Sequence, residues 1–130
     1  MKLQDTAAVV TGGGSGLGAQ TARTLAQHGS RVTVLDVDGA RAEAVAQEIG
    51  GFAVRCDVAE PDGVTAALAA AAERHGAARI LVNCAGIGVA KRMIGRDGPM
   101  PLGEFERVIR VNLIGTFNVT RLATSAMTEL

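Results

Sequence analysis

The stretch Ala7-Ala8-Val9-Val10-Thr11-Gly12-Gly13-Gly14-Ser15-Gly16-Leu17-Gly18 runs from apolar, β-branched residues straight into a turn in which five of seven residues are glycine. A helical pattern follows at once over residues 17–28, with Gly18, Ala22 and Leu25 on one face. A strand, a glycine turn and a helix in immediate succession have a specific chemical use. Without side chains, main-chain N–H groups can approach a diphosphate closely, and the helix N-terminus adds a favourable dipole. The glycine spacing alone is weak evidence; its position between strand and helix is what points to a bound dinucleotide. A tight turn without a ligand is the plainer reading, and the context weighs against it.

Working outward, three further short runs of strand character lie at residues 31–35, 52–56 and 79–83. The runs at 7–11, 31–35 and 79–83 are nearly continuous in apolar character, as expected of parallel strands covered on both faces. Helical stretches separate them. One carries Ala42, Val45 and Ile49; the next begins near Pro61, which suits a first helical position, and carries Val64, Leu68 and Ala71. Gly29, Gly50 and Gly76 each follow a helical stretch, where a left-handed cap is expected. Alternating strands and helices predict an α/β fold, a Rossmann-like doubly wound parallel sheet of which this is the N-terminal half, with strand order 3-2-1-4. That order separates Cys56 and Cys84 by roughly 14 Å. Disulfide Cα atoms rarely exceed about 7 Å, so both cysteines are expected as free thiols.

Asp36 closes the second strand. A carboxylate there can accept both hydroxyls of an adenosine ribose and repels a 2′-phosphate, which favours NAD over NADP. A solvated Asp capping the next helix is the alternative. Lys plus Arg and Asp plus Glu number 13 each, so net charge gives no case for nucleic acid or an acidic membrane surface. No apolar run reaches the length of a membrane span, and residues 1–5 lack signal-peptide character. A soluble, cytoplasmic protein without a disulfide framework or metal site is expected. Residues 86–101 read as a Gly/Pro/Met-containing loop, followed by a long helix from about Leu102. The apolar stripe of that helix reads Phe105, Val108, Ile109, Leu113, Thr116, Phe117, and Asn112 falls on it. His28 and His75 precede helix-ending glycines and read as surface residues. Lys91, Arg92 and Arg96 in the loop are either solvated or available to a CoA phosphate.

Thr11-Gly12-x-x-x-Gly16-x-Gly18 resembles the cofactor signature of the classical short-chain dehydrogenases/reductases; extended members of that superfamily want Gly at the place of Ser15. Asp57-Val58 after the third strand, Asn83-Cys84-Ala85-Gly86 closing the fourth and Val111-Asn112-Leu113 in the long helix follow in the family's order. Cys84 departs from the commoner Asn. The stretches 83–90 and 111–119 resemble the type-2 3-hydroxyacyl-CoA dehydrogenases within the family.

The resemblance implies NAD as cofactor. It implies Ser15 and Leu17 at the pyrophosphate, held by the cofactor-binding glycines Gly12, Gly16 and Gly18, Asp36 at the ribose, Asp57 and Val58 at the adenine, and Cys84, Ala85 and Gly86 along the path to the nicotinamide, with Asn83 beside them among the cofactor-binding residues. A buried structural thiol is an equally good reading of the Cys84 side chain. Asn112 is the candidate catalytic residue, holding a water in a proton relay; a satisfied core Asn is its plainer reading.

The implied activity is hydride transfer between NAD and a secondary alcohol or ketone, with 3-hydroxyacyl-CoA as the expected small-molecule substrate. Alternatives are a 3-ketoacyl carrier-protein reductase, a sugar-alcohol dehydrogenase, or a non-catalytic dinucleotide-binding module. The family's chemistry also uses Ser, Tyr and Lys. The sequence has no Tyr, and its only lysines are Lys2 and Lys91. Residues 1–130 are thus expected to be an NAD-binding Rossmann domain cut off before the Ser/Tyr/Lys segment, which also fits the helical pattern at 126–130 and the exposed edge left on the fourth strand. The resemblance further implies a homodimer or homotetramer, with residues 102–130 near its interface.

Overall fold

Valine and alanine dominate the strand β1 (Ala7–Thr11), and every residue of it is buried. In the computed structural model, which describes residues 2–129, β1 is flanked on both sides by parallel strands. β2 (Arg31–Asp36) pairs Ala7 with Arg31 through Thr11 with Leu35. β4 (Ile80–Asn83) pairs on the other side, Ala8 with Ile80 through Thr11 with Asn83. β3 (Phe52–Arg55) lies outside β2. The order is β3-β2-β1-β4, as the sequence predicts.

Alternate residues of the strands feed two cores. Ala8, Val10, Val32 and Val34 pack against Ala19 and Ala22 of α1 (Gly16–Gln27) and Ala42, Val45 and Ala46 of α2 (Gly39–Ile49). On the opposite face Val9, Leu35, Cys56 and Val58 pack against Val64, Ala67 and Ala71 of α3 (Pro61–His75) and against Val119. The helix faces are mostly alanine, so the backbones lie close to the sheet. The sheet is therefore covered on both sides, which is why its strands read as continuous apolar runs.

Four expectations need correction. Gly50 adopts the left-handed cap conformation (φ 65°, ψ 28°), but Gly76 combines a positive φ of 86° with an extended ψ of 172°. The loop at 86–101 contains a small antiparallel hairpin, β5 (Ile94–Gly95) and β6 (Gly98–Pro99), turning at Gly98 with φ 115°.

The long helix is three segments, α4 (Leu102–Ile109), a π-helical turn over Arg110–Gly115 and α5 (Thr116–Met127). Its sheet-facing side is not the stripe of large residues: Phe105, Leu113 and Phe117 are 56%, 63% and 67% exposed. Val111, Gly115, Val119, Leu122 and Ala123 face inward instead. Close approach selects the small residue: a Cβ on Gly115 would lie 2.5 Å from Val58 Cγ2.

His75 is the fourth correction. It is partly buried, edge-on to Phe52 with ring centroids 6.3 Å apart, and its Nε2 is buried without a partner. Desolvation, helped by Arg74 and Arg31 and only partly offset by the nearby Val32 backbone, pushes its pKa down. His28 is exposed, as expected.

Cys56 and Cys84 are both free. No helix among the described residues is long and apolar enough to cross a membrane.

Candidate cofactor cleft

At the C-terminal ends of the parallel strands the chain leaves β1 toward α1, and its neighbours β2 and β4 lie on opposite sides of it. Such a switch point opens a crevice outside the strand ends. A cleft of about 440 Å³ lies there, lined by the glycine turn and by residues following all four strands.

The turn is built by exclusion. Gly12 has φ 62°, and a Cβ on it would stand 2.6 Å from the Ala85 nitrogen. A Cβ on Gly18 would overlap the Gly12 carbonyl oxygen. Any side chain at either position would force the turn away from β4 or from α1. The Thr11 hydroxyl accepts the amides of Cys84 and Ala85, both at 3.2 Å, which ties the end of β4 to the start of the turn. The first amides of α1 have no acceptor within the helix, and the Ser15 side chain makes no capping bond. A ring of donors is therefore available to an anion.

Asp36 stands beside the turn with its carboxylate already oriented. Oδ2 accepts the Gly14 amide and Oδ1 the Asp38 amide, both at 2.9 Å. Each oxygen keeps a lone pair for a further donor. The side chain that caps α2 is that of Asp38, accepting from the Arg41 amide, so Asp36 is not needed for that task. On the same side, Asp57 accepts the Ala59 amide at 2.9 Å, and Val58 is buried. Burial, with Asp57 beside it, pushes the Cys56 thiol up to about 11, so it stays protonated near neutral pH.

Gly12, Ser15, Gly16, Leu17, Gly18, Asp36, Asp57, Val58, Cys84, Ala85 and Gly86 all line this one cleft. Asn83 does not. Its side chain turns to α5, where Nδ2 donates to Thr120 Oγ1 at 3.1 Å. Asn112 is exposed rather than buried in a core, and it sits just behind the lining. Its Nδ2 donates to the Ile87 carbonyl and its Oδ1 accepts the Ile87 amide, both at 2.8 Å. The amide thus clamps the main chain that follows Gly86. Lys91, one of the loop cations, is paired with Glu104.

Val37, Cys56, Ile87, Arg107 and Val111 also line the cleft and were not singled out from the sequence. All but Arg107 adjoin residues that were. Arg107 stands on α4, four positions before Val111, and no motif in the sequence marks it. Among the described residues no three His, Cys, Asp or Glu come together as metal ligands. A glycine-walled crevice with free helix amides at its centre and an oriented carboxylate to one side fits a dinucleotide.

Known proteins agree with this geometry. The family model for short chain dehydrogenase matches residues 6–129. The chain is 43% identical over 124 residues to 3-hydroxyacyl-CoA dehydrogenase type-2 of Rattus norvegicus, covering 92% of this chain and 48% of that protein. The solved 3-ketoacyl-(acyl-carrier-protein) reductase from Brucella melitensis, complexed with NADH, superposes with a TM-score of 0.84 at 40% identity, over 92% of this chain and 49% of that one. A Brucella melitensis 16M structure described as ribose-5-phosphate isomerase gives a TM-score of 0.85 at 38% identity, over 95% and 47%. The chain spans about half the length of these relatives. They are named for different activities, so likeness over this half identifies a family and not a substrate. The chain belongs to the short-chain dehydrogenase family.

Proposed function

We propose that the full-length protein containing this chain is an NAD-dependent oxidoreductase acting on a secondary alcohol or ketone, with 3-hydroxyacyl-CoA as its substrate. The observation that carries the cofactor reading is the pairing of the glycine turn with Asp36 in one cleft. The substrate reading rests on the likeness to the rat 3-hydroxyacyl-CoA dehydrogenase type-2.

When bound, the nicotinamide supplies the hydride acceptor or donor. The chain's own residues bind and orient. The amides at the start of α1 hold the diphosphate, and Gly12 and Gly18 let it come close. The Asp36 carboxylate accepts the adenosine ribose hydroxyls and disfavours a 2′-phosphate. Asp57 and Val58 border the adenine, while Cys84, Ala85 and Gly86 border the path to the nicotinamide. The Cys84 contribution is through its main chain. Asn83 acts indirectly, by tying β4 to α5. Asn112 is our candidate from the reacting set: by fixing Ile87 it sets the wall beside the reaction centre, and its exposed position lets a relay water approach. The Ser, Tyr and Lys that the family resemblance implies for the chemical step are assigned to the half of the relatives' length that this chain does not span. The exposed Leu102 and Phe105 on α4, Leu113 on the π-helical turn and Phe117 on α5 form the contact of a homodimer or homotetramer.

A second reading, reduction of a 3-ketoacyl group on a carrier protein, is favoured by the likeness to the Brucella melitensis reductase. A spectrophotometric assay at 340 nm separates the two. The full-length protein is expected to reduce NAD with 3-hydroxyacyl-CoA more efficiently than with the acyl carrier-protein thioester. Turnover confined to the carrier-protein substrate selects the second reading, and turnover of neither rejects both.

A further inference from the structure

Asn118, on α5, is 4% exposed and has no part in the motifs assigned above. Its Nδ2 donates to the Val58 carbonyl at 3.2 Å. Its Oδ1 accepts two bonds from Arg121, 3.1 Å from Nε and 2.8 Å from a terminal nitrogen. A guanidinium can only donate, so it fixes which end of the amide faces it and leaves the NH₂ for Val58. Three residues earlier, Gly115 lets the same helix press on the Val58 side chain. The helix thus grips Val58 at both its main chain and its side chain.

Val58 lines the cofactor cleft and follows β3. The strand order puts the ends of β2 and β3, with Asp36 and Val58, on one side of the glycine turn, and the end of β4 on the other. With Asp36 as the ribose acid, Val58 borders the adenosine end. We infer that Asn118 and Arg121 are positioning residues for the adenosine half of the cofactor: they hold the 58 carbonyl in place and so set the wall against which the base packs. This inference rests on the dinucleotide reading.

The variant Asn118→Asp tests it. It keeps the shape and the Arg121 partner, but replaces the donor to Val58 with an oxygen that repels the carbonyl. The full-length protein is titrated with ADP-ribose, which carries the adenosine half and both phosphates, and with reduced nicotinamide mononucleotide, which carries the other half. Asn118→Asp is expected to weaken ADP-ribose about tenfold, the scale of one lost hydrogen bond. The KM for NADH is expected to rise by more than kcat falls, and the mononucleotide to bind unchanged. Should that variant not fold, Arg121→Lys reads the same contrast with a smaller loss, because Lys keeps the charge and loses the fork.

Unchanged ADP-ribose affinity in the folded variant overturns the inference and leaves the dinucleotide reading standing. Equal weakening of both halves also overturns it, since that marks a merely structural amide. A wild-type protein that binds neither ADP-ribose nor NADH removes the dinucleotide reading, and the inference with it.

Discussion

Asp36 shows how much a single side chain carries here. Its two oxygens take the amides of Gly14 and Asp38, so the carboxylate that is to select the ribose also pins the glycine turn to β2. Asp36→Ala in the full-length protein therefore has two expected effects. The preference for NADH over NADPH narrows, read as the ratio of their dissociation constants. Stability falls by about 1–2 kcal/mol in urea titration, because two amides lose an acceptor. A variant with undiminished coenzyme preference would remove the selecting role and leave only the structural one.

The residue scale also holds what the sequence hid. Asp36 and the glycines could be read from spacing, because their chemistry is local. His75 could not: it borders a helix-ending glycine, but Phe52, from a distant strand, covers it. Its pKa in the fold is held below the ordinary 6.5, first by desolvation and then by Arg74 and Arg31. Below pH 6.5 the unfolded chain takes up a proton before the folded one does, so this residue makes stability fall as pH drops from 6.5 toward the folded pKa. His75→Phe is expected to flatten that dependence while keeping an aromatic ring against Phe52. Urea midpoints at pH 7.5 and 5.5 check this; an unchanged difference between them contradicts it.

Among elements, β1 to β4 and α1 to α3 were legible, because apolar period and glycine caps are local signals that agree with the tertiary packing. The last helix was legible as a helix and misread as to its face. The large residues Phe105, Leu113 and Phe117 outweighed the small ones in the pattern, yet the small ones face the sheet. The π-helical turn at Arg110–Gly115 has no sequence signature of that kind, although π-turns often mark functional positions. It holds Asn112 against Ile87 and brings Gly115 against Val58. Gly115→Ala sets two effects against each other. Helix propensity favours Ala by about 1 kcal/mol. Overpacking against Val58 costs about 1–3 kcal/mol and displaces a wall of the cleft. The clash is expected to win, with lower stability and weaker NADH binding. Gly103→Ala, in open space on α4, serves as the control and is expected to lose neither. A Gly115→Ala protein more stable than wild type would show that the helix shifts freely.

At the scale of the whole molecule, right-handed crossovers left few topologies, the Rossmann half-sheet was the natural one, and its strand order sets the side of the turn on which each cleft residue falls. The resemblance placed the Asn112 helix at the site, but which of its other residues line the cleft could not be read. Arg107 and Val111 reach it because α5 packs beside α3 and against β4 and carries the π-helical turn and α4 with it, a contact between segments far apart in sequence. Relatives about twice as long, named for unlike activities, share this half of the fold, so the fold over residues 6–129 does not by itself select a substrate.

The central claim is that the amides at the start of α1 and the carboxylate of Asp36 together hold an NAD-type dinucleotide. Isothermal titration of the full-length protein with NADH and with NADPH tests it most directly. The account predicts saturable binding of NADH, tighter than NADPH by about tenfold or more, a difference of about 1.4 kcal/mol. Equal affinity for the two, or no heat with either, would contradict it.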